Sequence, residues 1–247
     1  MGKPAETSHL RFADRVLRLL ERVEHRTAET ASEREAVYRL RYDAYIRDGF
    51  IEPRASGQLY DASYDDAPNC WITTTFIDGK LASTFRIHVA SNLRDVLPSS
   101  AVFSDVITPR FDGHRVVLDP TRLAARLEFS RRYSEMPYIA LRPAWMAAEF
   151  FSANFVIATT REEHQAYYKR VFGYKLWCEP RDYPFLSRKV ACMGLDFRAV
   201  KERVEARYPF FRSTAAEREK LFRRTSSGSK TQSQGGVIWN SEIRASA

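Results

Sequence analysis

Asp61, Asp65 and Asp119, together with Arg41, Arg86 and Arg122, are the side chains of this sequence best suited to chemistry. A carboxylate can bind or relay a proton, directly or through a water. An unperturbed aspartate is a poor base near pH 7, so such a role demands either burial that raises its pKa or an orienting hold on a water; orientation is the simpler demand. A guanidinium presents a planar fork of donors that matches a carboxylate. Arg41, Arg86 or Arg122 therefore either fixes a structural aspartate, as in Arg41 with Asp61 or Asp65 and Arg122 with Asp119, or holds a carboxylate of the substrate.

Metal chemistry finds no support. His9, His25, His88, His114 and His164 show no spacing that closes a coordination shell, and Cys70, Cys178 and Cys192 sit in apolar or strand-like runs that suit buried thiols. The net charge of +8 invites an acidic partner. No zinc finger, helix-turn-helix or RNA-binding aromatic motif accompanies it, so nucleic acid is not the expected partner. No run of about 18 apolar residues and no secretion signal occurs, and the expected location is the cytoplasm.

Residues that far apart need a scaffold, and 247 residues with 44% hydrophobic content suffice for one substantial domain. His9 to Glu24 carries apolar residues at helical spacing and predicts an amphipathic helix packed on the core, with a dimer or membrane contact as the alternative. An extended segment over 23–28 follows, and Ser32-Glu33-Arg34-Glu35 fits a capping box opening a helix that runs to about Arg47. CWITTTF and LASTFRIHV, joined by Asp78-Gly79, predict an antiparallel hairpin. HRVVLDP predicts a third strand, and Met136 to Ser152 an apolar helix that begins after at least one of Pro137 and Pro143. FVIATT reads as a strand buried on both faces, followed by a helix and by strands over 175–178 and 190–197. After Arg198 come charged helical stretches to about residue 224, and the polar segment 225–247 is too poor in apolar residues to order itself. The expected divisions are thus an N-terminal helix (1–22), a main domain (23–197), a helical extension (198–224) and a tail (225–247).

Two regions, together spanning about residues 23–197, resemble known families. FVIATTREEHQAYYKRVFGYKLW is similar to the closing strand, helix and aromatic turn of GNAT acyltransferases. The resemblance implies an α/β (α+β) fold with a mixed, mostly antiparallel central sheet and helices on both faces. It also implies two parallel strands, around Val117 and Val156, that splay to admit the thioester arm of an acyl donor. Tyr167, Phe172 and Tyr174 read singly as core aromatics. The series Arg41, Tyr45, Phe50, Asp61, Asp65, Arg86, Phe103 and Asp119-Pro-Thr-Arg122 resembles acyl-homoserine-lactone synthases. It is closer to the related N-acyl amino acid synthases, in which V-Y-x-L-R-Y-x-x-Y and D-P-T-R recur. Phe50 stands where lactone synthases carry Trp, and Asp119 where they carry Glu.

The resemblance implies an enzyme that moves an acyl group from a thioester to the amine of an amino acid. Asp119, Arg122, Asp61 and Asp65 would form its catalytic group, and Arg41, Tyr45, Phe50, Arg86, Phe103, Trp145 and Phe150 would contact substrate. Phe85, Met146 and Phe151, with Phe103, Trp145 and Phe150, either line an acyl tunnel or belong to the core. Coenzyme A-dependent GNAT enzymes cradle pyrophosphate in a glycine-containing loop, but DPTRLAARLEFSRRYSEM has no glycine. That favours acyl carrier protein as donor, with the 4'-phosphopantetheine arm as part of the substrate, no separate cofactor, and acyl-CoA as the alternative. Arg126, Arg131, Arg132, Lys169 and Arg170 are then docking charges, or else a solvated basic surface. The alternative functions are homoserine-lactone synthesis from S-adenosylmethionine and a silent module that binds carrier protein or a membrane surface.

Overall fold

The computed structural model describes residues 11–92, 94–111, 115–184 and 186–224. The tail 225–247, His9, His114 and the first residues of the expected N-terminal helix lie outside them. Among the described residues seven strands form one sheet in the order β1-β2-β3-β4-β5-β7-β6. These are β1 (Val23–Thr27), β2 (Cys70–Ile77), β3 (Lys80–Ala90), β4 (Val117–Ala125), β5 (Phe155–Thr160), β6 (Lys175–Arg181) and β7 (Val190–Asp196). Every neighbouring pair is antiparallel except β4 and β5, which run parallel.

Alternate residues along β2 and β3 point to opposite faces, and each face carries its own helices. Trp71, Phe85, Ile87 and Leu118 join the larger core under α1 (Phe12–Leu20) and α6 (Met136–Phe150). Phe197, Val204, Leu221 and Phe222 of α8 (Phe197–Arg207) and α9 (Ala215–Phe222) enter the same core. Cys70 and Ile72 pack instead on Val37 and Tyr38 of α2 (Ala31–Arg47). On that side also lie α3 (Ala62–Asp65), which contacts β2, and α4 (Ser100–Ile107), which shares a small apolar cluster with Val117 of β4. The mixed sheet with helices on both faces expected from the GNAT resemblance is thus present.

The local signals explain most boundaries. Asp78 (φ 50°) and Gly79 (φ 72°) close the β2–β3 hairpin with two positive-φ residues, as a two-residue turn requires. The capping box of α2 is Thr30 with Glu33, not Ser32 with Glu35: Glu33 N–H donates to Thr30 Oγ1, and Thr30 N–H to the Glu33 carboxylate. This earlier start follows from β1 ending at Thr27. Helix α6 begins at Met136, ahead of both prolines, because Pro137 falls in the first turn, where no N–H partner is needed, and Pro143 lies inside the helix. Helix α1 buries Val16 and Leu19 in the main core and stops at Leu20, where the chain turns into β1. Cys70 and Cys192 are buried, whereas Cys178 is half-buried. No helix of the described residues is long and apolar enough to cross a membrane.

Candidate active site

The parallel pair that seams the two halves of the sheet is short. Only Val117 with Phe155 and Leu118 with Val156 are in register. Beyond them β4 stays with β3, whereas β5 follows β7 from Ile157 opposite Gly194 to Thr160 opposite Ala191. A bulge in β4 accompanies the parting: between Thr121 (opposite Arg86) and Ala124 (opposite Thr84), β4 uses one residue more than β3. Arg122, inside this bulge, adopts φ 57°, a strained conformation for a bulky residue, and such strain persists only where the surroundings impose it.

A cavity of about 390 Å³ opens where the strands part, with Thr121–Ala125 on one wall and Ile157–Arg161 on the other. Phe85 and Arg86 both line it. Successive residues of β3 project to opposite faces, so the cavity passes through the sheet. Towards α2 and α3 its walls are polar and aromatic: Tyr45, Phe50, Asp61, Tyr64, Arg86 and Arg122, with Tyr183 from the β6–β7 connection. Towards α6 they are apolar, with Phe85, Leu141 and Ala144.

Behind the polar wall lies a buried ion cluster. Arg41 Nη1 donates to Asp65 Oδ1 at 2.7 Å, Arg86 Nη1 lies 3.4 Å from the same oxygen, and Asp65 Oδ2 accepts the Asp61 N–H at 2.9 Å. Arg86 also donates from Nε to Thr121 Oγ1 at 3.0 Å and stacks 5.2 Å from the Tyr64 ring centroid. Burial by itself would push the Asp65 carboxyl up, but Arg41 and Arg86 more than offset it and hold Asp65 below the usual carboxylate range. Two guanidiniums and one carboxylate leave one positive charge over. Arg41 Nε and Nη2 and Arg86 Nη1 have no hydrogen-bond acceptor among the described residues. An anion arriving in the cavity beside Arg86 would meet that surplus.

The aromatic side is built from contacts within reach of one another. Tyr45 and Phe50 rings lie 5.2 Å apart, Arg122 Cζ is 5.3 Å from the Tyr45 ring and Arg161 Cζ 4.3 Å from the Phe50 ring. Tyr168, on α7 (Glu162–Val171), also lines the cavity, and burial pushes its hydroxyl up to about 12. It therefore stays protonated and can donate a hydrogen bond.

The sequence-predicted residues fall into three groups. Tyr45, Phe50, Asp61, Arg86 and Arg122 line the cavity, and Arg41 and Asp65 stand directly behind Arg86. Asp119 does not line it: the side chain is fully buried, and its two oxygens accept the N–H and hydroxyl of Ser99 at 2.7 and 2.6 Å. Arg122 makes no ion pair with it. Burial pushes the Asp119 carboxyl up, against the pull of the Ser99 bonds. Phe103 and Trp145 are core residues, and half-buried Phe150 packs against the core. Phe103 sits fully buried in the cluster under α4, Trp145 packs against Phe172, Phe197 and Phe211, and Phe150 packs on Phe151 and Phe222. Their apolar character suits core and tunnel equally, so composition could not separate the two. Of the other tunnel candidates, Phe85 lines the cavity, whereas Met146 belongs to the core and half-buried Phe151 packs against it. Tyr64, Tyr168 and Tyr183 were missed, since no spacing ties them to the arginines; Tyr174, read as core, lines the cavity as well. Arg126, Arg131, Arg132, Lys169 and Arg170 are all exposed, at or near the ends of α5 (Leu127–Arg132) and α7. Among the described residues no group of His, Cys, Asp or Glu is arranged to hold a metal ion.

Similarity to known proteins agrees with this fold. No curated protein matches in sequence. Among solved structures, the chain is similar in fold to FeeM, an N-acyl amino acid synthase from uncultured soil microbes, at 13% identity over 76% of this chain and 98% of that one, with a TM-score of 0.63. It is likewise similar to MesI, a CoA-dependent acyl-homoserine lactone synthase (18% identity, 78% and 97% covered, TM-score 0.54), and to the AHL synthase LasI (12%, 73% and 94%, 0.52). Residues 36–196 match the family described as N-acyl amino acid synthase FeeM. This span runs from within the arginine-bearing helix α2 to the end of β7 and so takes in the cavity-lining side chains named above; the chain belongs to the FeeM family of N-acyl amino acid synthases and is an acyltransferase.

Proposed function

We propose that the protein transfers a long acyl chain from the phosphopantetheine thioester of acyl carrier protein to the amine of an amino acid. The observation that carries this reading is the surplus positive charge of the Arg41–Asp65–Arg86 cluster at the wall of a cavity that crosses the sheet between two parting strands. An amino acid brings the carboxylate that Arg86 lacks, and its amine then lies towards the gap. Beyond Leu118, β4 has no register partner on β5, so backbone groups facing the gap can bond the pantetheine amides and the oxyanion formed on attack.

Amine attack on the thioester carbonyl forms the C–N bond, and collapse of the tetrahedral intermediate expels the thiolate. Asp61 orients a water that carries the proton lost by the attacking amine to solvent, and the Tyr168 hydroxyl donates a hydrogen bond to the departing thiolate, which takes its proton from solvent. The apolar walls at Phe85, Leu141 and Ala144 receive the acyl chain, with each buried methylene contributing about 0.8 kcal/mol of transfer free energy. The carrier-protein donor rests on the glycine-free segment after β4 and on the exposed Arg126, Arg131, Arg132, Lys169 and Arg170, which suit an acidic partner.

A matrix of acyl-carrier-protein and acyl-CoA donors against the common amino acids, read by mass spectrometry, tests the reading. The expected result is N-acyl amino acid formed from the carrier-bound donor. Charge reversal at Arg131 and Lys169 should raise the KM for carrier-bound donors and leave that for acyl-CoA unchanged. The absence of any N-acyl product across the matrix sinks the proposal.

A further inference from the structure

Asp119 is buried, yet it is connected to the cavity. Its oxygens hold the N–H and hydroxyl of Ser99. The carbonyl of the preceding residue, Pro98, accepts the hydroxyl of Tyr183 at 2.8 Å, and the Tyr183 ring lines the cavity. On its other side the Tyr183 segment is fastened by Ser187, whose N–H donates to Phe50 O at 2.9 Å and whose hydroxyl donates to Gly49 O at 2.5 Å. Strand β4, the entry to α4 and the β6–β7 connection are therefore linked by consecutive hydrogen bonds ending at a phenol on the cavity wall.

This chain fixes the direction of the last proton. With its hydrogen committed to Pro98 O, the Tyr183 oxygen offers only lone pairs to anything in the cavity, which makes it an acceptor. It lies in the electrostatic field of Asp119 and of Arg122, Tyr64 and Arg86, the last three being residues of the polar wall. We propose that Tyr183 accepts a hydrogen bond from the acceptor's amine, and that Asp119, acting through Ser99 and Pro98, is a positioning residue that holds Tyr183 in place. Both Asp119 oxygens are already engaged by Ser99, and the side chain has no face on the cavity, so it is not the group that receives the amine's proton. The identity of the amine rests on the acyl-transfer reading above; the link between Asp119 and Tyr183 rests on the hydrogen bonds alone.

Four single variants of the full chain, Tyr183→Phe, Asp119→Ala, Asp119→Asn and Ser99→Ala, and the Tyr183→Phe/Asp119→Ala double variant test both parts. Losing one neutral hydrogen bond to the acceptor should raise the amino acid's KM by about tenfold in Tyr183→Phe, with the donor's KM unmoved. Asp119→Ala should show the same split, and the double variant should be no worse than either single one, because both remove the same contact. Asp119→Asn should rescue the Asp119→Ala defect over the whole pH profile: its amide oxygen still accepts the Ser99 N–H, and its NH2 donates to Ser99 Oγ. Hydrogen exchange in the peptide carrying Tyr183 should quicken in Asp119→Ala but not in Asp119→Asn. If Asp119→Ala fails to fold, Ser99→Ala removes one of the two bonds of that link, the hydroxyl's, while the backbone N–H stays on Asp119 Oδ2, and should quicken the same peptide to a smaller extent. Additive effects in the double variant, failure of Asp119→Asn to rescue, or unchanged exchange at Tyr183 would each overturn the positioning role. Exchange is read without turnover, so it decides the link even if no acyl transfer is found; in that case the amine role of Tyr183 falls with the proposed function, while the link stands or falls separately.

Discussion

Replacing Arg86 with Met separates substrate binding from folding. Arg86 is 2% exposed, and its charge is the one left over once Arg41 and Asp65 are paired at 2.7 Å. Methionine fills much of the same volume, leaves the Arg41–Asp65 pair neutral and removes a cation whose burial costs free energy. Stability should therefore change little. The acceptor, in contrast, loses a charge-assisted hydrogen bond to its carboxylate, worth about 1.5–3 kcal/mol, or roughly ten- to hundred-fold in kcat/KM. The assay is acceptor-dependent turnover with the preferred amino acid and with the amine lacking its carboxyl group, each at saturating donor. The wild type should favour the amino acid, and Arg86→Met should erase that preference while keeping turnover of the plain amine. A loss of equal size for both acceptors, or an intact preference, would falsify the assignment of Arg86 to the carboxylate.

Asp65→Ala should act in the opposite sense, leaving two buried guanidiniums without a counter-ion and costing about 3–5 kcal/mol, seen as a fall of roughly 10 °C in Tm; a melt like that of Arg86→Met would refute the cluster's role in folding. Ala144→Phe should fill the apolar end of the cavity and shift donor preference to shorter chains, with roughly 0.8 kcal/mol forfeited per methylene expelled, measured across a series of acyl lengths. His88 is fully buried, and burial pulls its pKa down to about 3, whereas the unfolded chain titrates near 6.5. The unfolded state therefore binds more protons below pH 6.5, and stability falls as pH drops from there towards 3. This single group should remove about 2 kcal/mol between pH 7 and pH 5, and His88→Gln, which can keep the donor to Tyr64 O, should lessen the slope of a denaturation series there by that amount, the remainder including His25, whose pKa burial also pulls down to about 3.

Much of this was legible in the chain itself. The hairpin followed from Asp78-Gly79, whose two positive-φ residues need no tertiary partner, and the β5–α7–β6 run followed from a local switch of hydrophobic period. The resemblance also brought out the arginine and aspartate positions that gather at one end of β3 and β4. Roles were harder to read than positions. Asp119, Asp61 and Asp65 share one chemistry in sequence, and only packing makes one a tether under Ser99, one a cavity wall and one a counter-ion between two arginines. Phe85 and Trp145 are both aromatic, yet one faces the gap between β4 and β5 and the other lies among Phe172, Phe197 and Phe211. Tyr183 had no signal at all, because its neighbours Pro98, Arg122 and Arg86 come from distant segments. The sequence by itself determined local conformation and the charges available. The tertiary structure alone decided where β4 and β5 part and which side chains face the opening, because these depend on a bulge and on burial that no local pattern encodes.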